Sequence, residues 1–354
     1  MTTYTVTVKD PSPKLSVEAV FTNTLELSPA EIAQMDNQFV KYSDSHYFLT
    51  PYKTETQKTA CKLASATIES YTKLAPHTVR GSTISFGPYK DLEPMEASPL
   101  TLHFMNNKPF AKLSSVQREL EVSHWGNIAV EEVYELQHAG AKLKGGFSRF
   151  DYARVQSSHS FRKLLATLPI QANNIYYRDQ IGNISTSDIR IDDDVMELEI
   201  QPRFPLFGGW QTQFYIGYSI PTETALFVDQ NNRHKLKFDF FTIFEDVWVE
   251  DMEIKVVLPE GCYDVKVEVP YKVTEQSWGK RYTYLDSELN GGRPVLTLRA
   301  KNLVEEHDRQ AVITYSFRKS RMLVEPAMLV LSYFALFVLA SVVSRVGDKK
   351  TKQA

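Results

Sequence analysis

Apolar and polar positions alternate along most of this chain, with strand-like runs cut by proline and glycine. Tyr4, Val6 and Val8 share one face, and Leu15, Val17 and Ala19 share another. With Pro11 and Pro13 between them, these predict two strands before residue 27. Ser28-Pro29-Ala30-Glu31 has the capping-box pattern with proline at the first helical position, which predicts a short helix to about Val40. Tyr47–Leu49 and Cys61–Ser70 follow as strands, then a stretch punctuated by Gly81, Gly87-Pro88, Pro94 and Pro99. Leu100–Phe104, Val116–Val122 and residues 124–138 alternate again, up to the turn glycines Gly140, Gly145 and Gly146. Ser160–Leu168, stopped by Pro169, reads as one amphipathic helix. Beyond it, Met196–Ile200, Lys235–Phe240, Asp264–Val269, Val295–Leu298 and Val312–Phe317 all read as short strands.

The alternation ends at Ala327–Ser344, an apolar run of 18 residues without a charge. As a helix it reaches roughly 27 Å, the hydrocarbon thickness of a thin bilayer such as that of the endoplasmic reticulum. Pro326 sits where a first-turn proline is tolerated. Arg318, Lys319 and Arg321 flank one end; Arg345, Lys349, Lys350 and Lys352 flank the other. A buried core helix is the alternative, but five turns without a polar face fit a membrane span better. The pattern therefore predicts a mainly β protein. Two β-sandwich-like domains with a few short helices, 1–150 and 151–320, precede one transmembrane helix, 326–345, and a short basic tail, 346–354. The first boundary rests on the polar, glycine-marked stretch from Gly146 to His159.

Composition changes this picture little. The chain has 354 residues and a net charge of −3, which suits two folded domains and argues against a general nucleic-acid surface. The 20 Phe and 18 Tyr suit sheet faces. Cys61 and Cys262 are too few for a disulfide framework; two free buried thiols or one long-range bridge remain open. The N-terminus reads as a strand, without the basic and apolar regions of a signal peptide. That is the geometry of a tail-anchored protein, or of a signal-bearing chain whose front end lies outside this sequence. The charges flanking the span barely favour either orientation.

Candidate chemistry is sparse. Asn183-Ile184-Ser185 is the single N-x-Ser/Thr sequon, on an expected exposed turn after Gly182. Asp188 and Asp192–Asp194, with Glu197 and Glu199 beyond, form an acidic cluster that lacks EF-hand spacing and reads as a solvated loop rather than a calcium site. The eight histidines show no zinc-ligand spacing. Gly208-Gly209-Trp210 could stack on a sugar, but reads better as a turn with a core tryptophan. Ser123 and His124 are neighbours in a strand and so point to opposite faces, which argues against a nucleophile–base pair. Nucleotide-binding and hydrolase motifs do not occur. No catalytic residues, cofactor or metal are therefore expected. Lys350 and Lys352, fifth and third from the end, resemble the dilysine retrieval signal of endoplasmic reticulum membrane proteins; a plain stop-transfer cluster reads the same. Such signals are read in the cytosol, so a real one puts the bulk of the chain in the lumen, where Asn183 can be glycosylated.

Several long blocks resemble the ribophorin I family, the large single-span accessory subunits of the oligosaccharyltransferase. They are Glu69-Ser-Tyr-Thr-Lys-Leu74, Ser123-His-Trp-Gly-Asn-Ile-Ala-Val-Glu-Glu132, Tyr176-Tyr-Arg-Asp179 and Gly182-Asn-Ile-Ser-Thr-Ser187. Arg203-Phe-Pro-Leu-Phe-Gly-Gly-Trp210, Tyr282-Thr-Tyr-Leu-Asp286, Gly292-Arg-Pro-Val295 and Lys301-Asn-Leu-Val-Glu305 with His307 follow in the family's order. The resemblance covers essentially the whole chain. It implies a single-pass type I protein of the endoplasmic reticulum membrane, with two lumenal β-rich domains. It implies work in protein N-glycosylation, the transfer of a dolichol-linked oligosaccharide to Asn-x-Ser/Thr of nascent chains. The implied partners are the catalytic and other membrane subunits, nascent polypeptide acceptors and the membrane itself, with no nucleic acid. Catalysis belongs to a different, multi-span subunit in that family, and Asn183 is implied to carry a glycan. Against the family pattern, the signal peptide and the first part of the N-terminal domain are absent from this sequence, and a ten-residue tail stands in place of a long cytosolic region. Two rival readings are a cytosolic tail-anchored β-domain adaptor and an independent lumenal sugar- or peptide-binding chaperone module.

Overall fold

The computed structural model describes residues 14–154, 159–192, 195–283, 286 and 291–351, with side chains up to residue 344. The chain is mainly β and divides into two compact units, Met1–Glu26 with Val40–Met105, and Leu27–Phe39 with Asn106–Ala354.

The first unit is a sandwich. One sheet orders the strands Leu25–Leu27, Phe39–Ser45, Pro99–Met105 and Ile68–Tyr71; the other orders Thr54–Lys62, Thr83–Leu92 and His77–Arg80. Alternate residues point to opposite sheet faces, so Leu100, Leu102 and Phe104 turn inward together, as do Ile84 and Phe86. The Phe86 ring meets His46 edge-on at 4.7 Å and Tyr71 at 6.5 Å, which ties the two sheets face to face.

The second unit is built on a seven-stranded sheet. Its order is Asn173–Asp179, Gln211–Pro221, Asn127–His138, Ala111–Ser123, Trp248–Val257, Arg293–Leu303 and Glu275–Arg281. All neighbours run antiparallel except Ala111–Ser123 with Trp248–Val257. Two smaller sheets complete the unit: Leu226–Val228, His234–Asp239, Gln310–Ser316 and Tyr263–Glu268; and Leu164–Leu168, Met196–Ile200 and Asp188–Ile191. One continuous core joins them, with Tyr134, Phe214 and Phe244 in mutual ring contact. The seven-stranded sheet takes strands from both sides of residues 146–159, where the sequence set a domain boundary. The glycines there are a local turn signal, whereas the unit is defined by pairing between distant strands.

Several expected elements differ. The first expected strand, at residues 4–8, lies outside the described residues. Leu15–Ala19 forms no strand, and Leu15 and Val17 lie exposed. The helix expected from Ser28 to Val40 does not form; the segment holds the short strand Glu31–Ile32, beside Lys142–Leu143, and ends in the start of the strand Phe39–Ser45. Two glutamines of that segment bond distant backbone instead. Gln38 donates to Asn106 O at 2.8 Å and accepts from Ala141 N at 2.8 Å. Gln34 donates to Ser148 O and accepts from Ser148 N, both at 2.8 Å. These tertiary bonds outweigh a weak local helix preference. Tyr47–Leu49 is not a strand either, because side chains hold its backbone: Thr59 Oγ1 donates to His46 O, and Gln57 Oε1 accepts from Phe48 N. The run Cys61–Ser70 is split between strands of different sheets. Ser160–Leu168 contains the strand Leu164–Leu168, paired antiparallel with Met196–Ile200. Leu164 and Leu168 fit both helical and alternating spacing; buried Ala166 fits the strand. The short helix nearby is Arg149–Arg154.

A 3-10 turn at Lys319–Leu323 leads into the terminal helix Val324–Thr351. Its most apolar stretch buries nothing inside the protein: Leu331, Phe337 and Leu339 are all more than 60% exposed. A core helix does not expose such residues on every side, whereas a helix long and apolar enough to cross a membrane does.

Candidate functional site

The sequon occupies a tight turn whose parts are fixed by polar contacts. The strand Asn173–Asp179 ends in a carboxylate that folds the chain back: Asp179 Oδ1 accepts from Ile181 N at 2.9 Å and Gly182 N at 3.0 Å. Gly182 sits at φ +142°, a conformation that favours glycine. Arg203 closes the turn from below, ion-paired with Asp179 and donating to Gly182 O and Asn183 O at 3.1 Å each. The Arg203 hydrogen bond holds the Asp179 carboxyl below the usual carboxylate range, helped by the Gly182 and Ile181 amides. Ile184 is buried as an anchor, while Asn183 and Ser185 on either side are exposed. Asn183 Oδ1 accepts from Arg178 Nε at 2.6 Å. Asn183 is thus solvent-facing on a turn held by polar contacts.

Lys350 lies on the terminal helix backbone, and Lys352 lies outside the described residues. In the acidic stretch, Asp188 pairs with Arg190 at 3.6 Å and Glu199 with Lys163 at 2.7 Å; Asp193 and Asp194 lie outside the described residues. Among the described residues, no group of three or more His, Cys, Asp or Glu is placed to hold a metal ion. Both cysteines are free thiols, half-buried rather than buried, and burial pushes Cys262 up to about 12. Trp210 packs among Phe147, Phe204 and Phe207, with Gly208 pressed against the Ala141 backbone. Ser123 Oγ accepts from Trp125 N, while His124 Nε2 lies 3.2 Å from the Tyr315 hydroxyl. The serine and histidine therefore serve different partners.

The strongest electrostatic feature is one that sequence reasoning missed. Arg118 and Glu132 stand directly opposite each other on neighbouring strands, on the face that turns into the core. Arg118 Nε faces Glu132 Oε1 at 3.4 Å, with the glutamate side chain wholly buried. One guanidinium nitrogen donates to Asp239 O at 2.8 Å and Phe241 O at 2.7 Å; the other reaches the Tyr218 hydroxyl at 3.4 Å. Tyr134 donates to Glu132 Oε2 at 2.5 Å. Burial pulls the Arg118 guanidinium down, but Glu132, Tyr218, Tyr134 and Asp239 together outweigh it, Glu132 most of all, and hold the charge on. Burial also pushes the Tyr134 and Tyr218 hydroxyls up, so both stay protonated donors. Two clefts open to solvent, of about 340 and 420 Å³, share Arg118, Tyr218 and Asp239 on their walls. Arg118 and Glu132 pair with each other and bond structural partners, so the arrangement braces the seven-stranded sheet against its neighbour. The signal was in the alternation: Val116, Arg118, Leu120 and Val122 share one face, as do Ile128, Val130, Glu132, Tyr134 and Leu136, so both charges stand in core register.

Comparison with known proteins adds what geometry does not. The family model described as Ribophorin I matches residues 2–344. Subunit 1A of dolichyl-diphosphooligosaccharide–protein glycosyltransferase from Arabidopsis thaliana is 41% identical over 343 residues, covering 96% of this chain and 55% of the relative. Subunit 1B from the same plant is 42% identical, covering 92% and 70%. Subunit 1 of Caenorhabditis elegans is 42% identical, covering 92% and 56%. The chain thus spans about half the length of two of these relatives. Among solved structures, an M1 zinc metallopeptidase from Deinococcus radiodurans aligns with 58% of the chain at 9% identity and a TM-score of 0.34, too low to carry an argument.

Proposed function

The chain belongs to the ribophorin I family, and from that premise we propose that it is a non-catalytic subunit of the endoplasmic reticulum oligosaccharyltransferase. The observation that carries this reading is the match of residues 2–344 to the Ribophorin I family model, together with relatives named as subunit 1 of that enzyme. Its work is to support oligosaccharide transfer to Asn-x-Ser/Thr by holding acceptor chains near the catalytic subunit and by assembling with the other membrane subunits. The terminal helix is the single span, the β-rich units stand in the lumen, and the tail with Lys350 and Lys352 faces the cytosol as a retrieval signal. The exposed turn at Asn183 supports a lumenal placement and a glycan there. The edge strand of the seven-stranded sheet at Glu275–Arg281, exposed except at Ser277, is a surface on which an extended acceptor can add as a further strand.

Depletion and re-expression test the reading. Loss of the protein lowers glycosylation of secretory reporters, re-expression restores it, and the purified chain transfers no glycan alone. Transfer activity from the isolated chain, or unaltered glycosylation across a broad panel of reporters, overturns it.

A further inference from the structure

We propose that the hairpin tip Ser123–Asn127 is a second membrane contact, with Trp125 seated in the lipid interface beside the span. The inference rests on the membrane reading of the terminal helix. Its first observation is placement. Trp125 and His124 line one small pocket, of about 40 Å³, together with Phe317, Arg321, Val324 and Glu325. Val324 and Glu325 open the terminal helix, so the tip lies level with the turn where the apolar run begins. The second observation is exposure: Trp125 is 61% exposed although it belongs to a hairpin whose inward residues are fully buried. Tyr263, 50% exposed, lies near the same helix start, with the Arg318 guanidinium 5.9 Å from its ring. Tryptophan and tyrosine beside Arg318, Lys319 and Arg321 at the head of an apolar helix form the belt that amphipathic rings and long basic side chains make at headgroup level.

The third observation is rigidity. The His124 ring stacks on Phe317 at 4.2 Å and 9°, seven residues before the helix. Thr222 holds the tip from the other side, through Thr222 N to Gly126 O and Thr222 Oγ1 to Ser123 O, both at 3.2 Å. A pinned tip cannot swing away from the bilayer when the helix crosses it. Two attachments, the span and the tip, then fix the tilt of the second unit over the membrane, where the span alone would leave it free to swivel.

The test uses the full chain reconstituted into phosphatidylcholine vesicles, plain or brominated at shallow acyl positions, and reads tryptophan emission. The wild type, Trp125→Phe and Trp278→Phe are compared, since Trp278 is 49% exposed on a sheet edge and serves as the control. The expected result is bromine quenching that falls at least twofold in Trp125→Phe and is unchanged in Trp278→Phe, with matching far-ultraviolet circular dichroism. Alkaline carbonate extraction of the same vesicles checks the span. Release of the chain overturns the span and this inference together. Retention with equal quenching in wild type and Trp125→Phe overturns this inference alone.

Discussion

Breaking the Arg118–Glu132 pair on one side destabilises the second unit by several kcal/mol, whereas removing both charges costs much less. Glu132→Gln keeps the shape but leaves a guanidinium in a site where Arg118 is only 7% exposed and its carboxylate partner 0%. An uncompensated buried charge costs about 3–5 kcal/mol. Arg118→Met strands the carboxylate with its tyrosine donors and deprives Asp239 O and Phe241 O of their donor, at about 1–3 kcal/mol for each acceptor left unsatisfied. Against a domain stability of about 5–15 kcal/mol, either change removes a large part. The double variant Arg118→Met/Glu132→Leu removes the ionic problem, and Tyr134 keeps the Thr242 hydroxyl at 3.0 Å. It should fall well short of the sum of the single losses. Urea unfolding of the full chain in mild detergent reads this as midpoint shifts of about 1 M or more for each single variant. A single-variant loss under about 1 kcal/mol, or a double variant as damaged as the sum, refutes the reasoning.

Acidification weakens the fold through histidines that burial keeps neutral. Burial lowers His138 to about 4, and His138 Nε2 donates to His159 O at 2.6 Å while Nδ1 accepts from Gly140 N at 2.9 Å; His124 is likewise lowered to about 4. The unfolded chain binds these protons first, so stability holds above pH 6.5 and falls from there toward pH 4, by up to about 3 kcal/mol for His138. A melting temperature that stays flat or rises between pH 6.5 and 5 contradicts this. Gly208→Ala places a Cβ 1.8 Å from the backbone oxygen of Ala141 and should cost about 3 kcal/mol or more by chemical denaturation. A near-neutral result would mean that this approach relaxes freely. In cells, endoglycosidase H should shift the protein on a gel, and Asn183→Gln should abolish the shift; a shift that survives the substitution places the glycan elsewhere.

Strands such as Pro99–Met105, Ala111–Ser123, Asn127–His138 and Met196–Ile200 were legible because their alternation coincides with one buried face, as at Leu100, Leu102 and Phe104, whereas Leu164–Leu168 read as helix and Gln211–Pro221 and Trp248–Val257 were not read as strands. The terminal helix was legible because membrane length leaves few other readings of 18 uncharged residues. Ser28–Val40 was misread because its caps are local signals, while Gln34 and Gln38 bond partners more than 65 residues away. The 146–159 boundary was read from local glycines, whereas the pairing of Asn127–His138 with Gln211–Pro221 across it leaves no local trace. The exposed turn at the sequon followed from Gly182, but its clamp by Arg203 did not, since a partner 24 positions from Asp179 has no spacing rule. Arg118 and Glu132 could have been found from their core register, had charge been sought there rather than in catalytic motifs.

The central claim is membership of the transfer complex, and activity that travels with the protein tests it most directly. The tagged full chain is captured from microsomes in mild detergent and supplied with dolichol-linked oligosaccharide and an Asn-x-Thr peptide. The account predicts that the captured material glycosylates the peptide, and that a stronger detergent wash removes the activity while the chain stays bound. Capture without activity, or activity that persists on the washed chain alone, contradicts it.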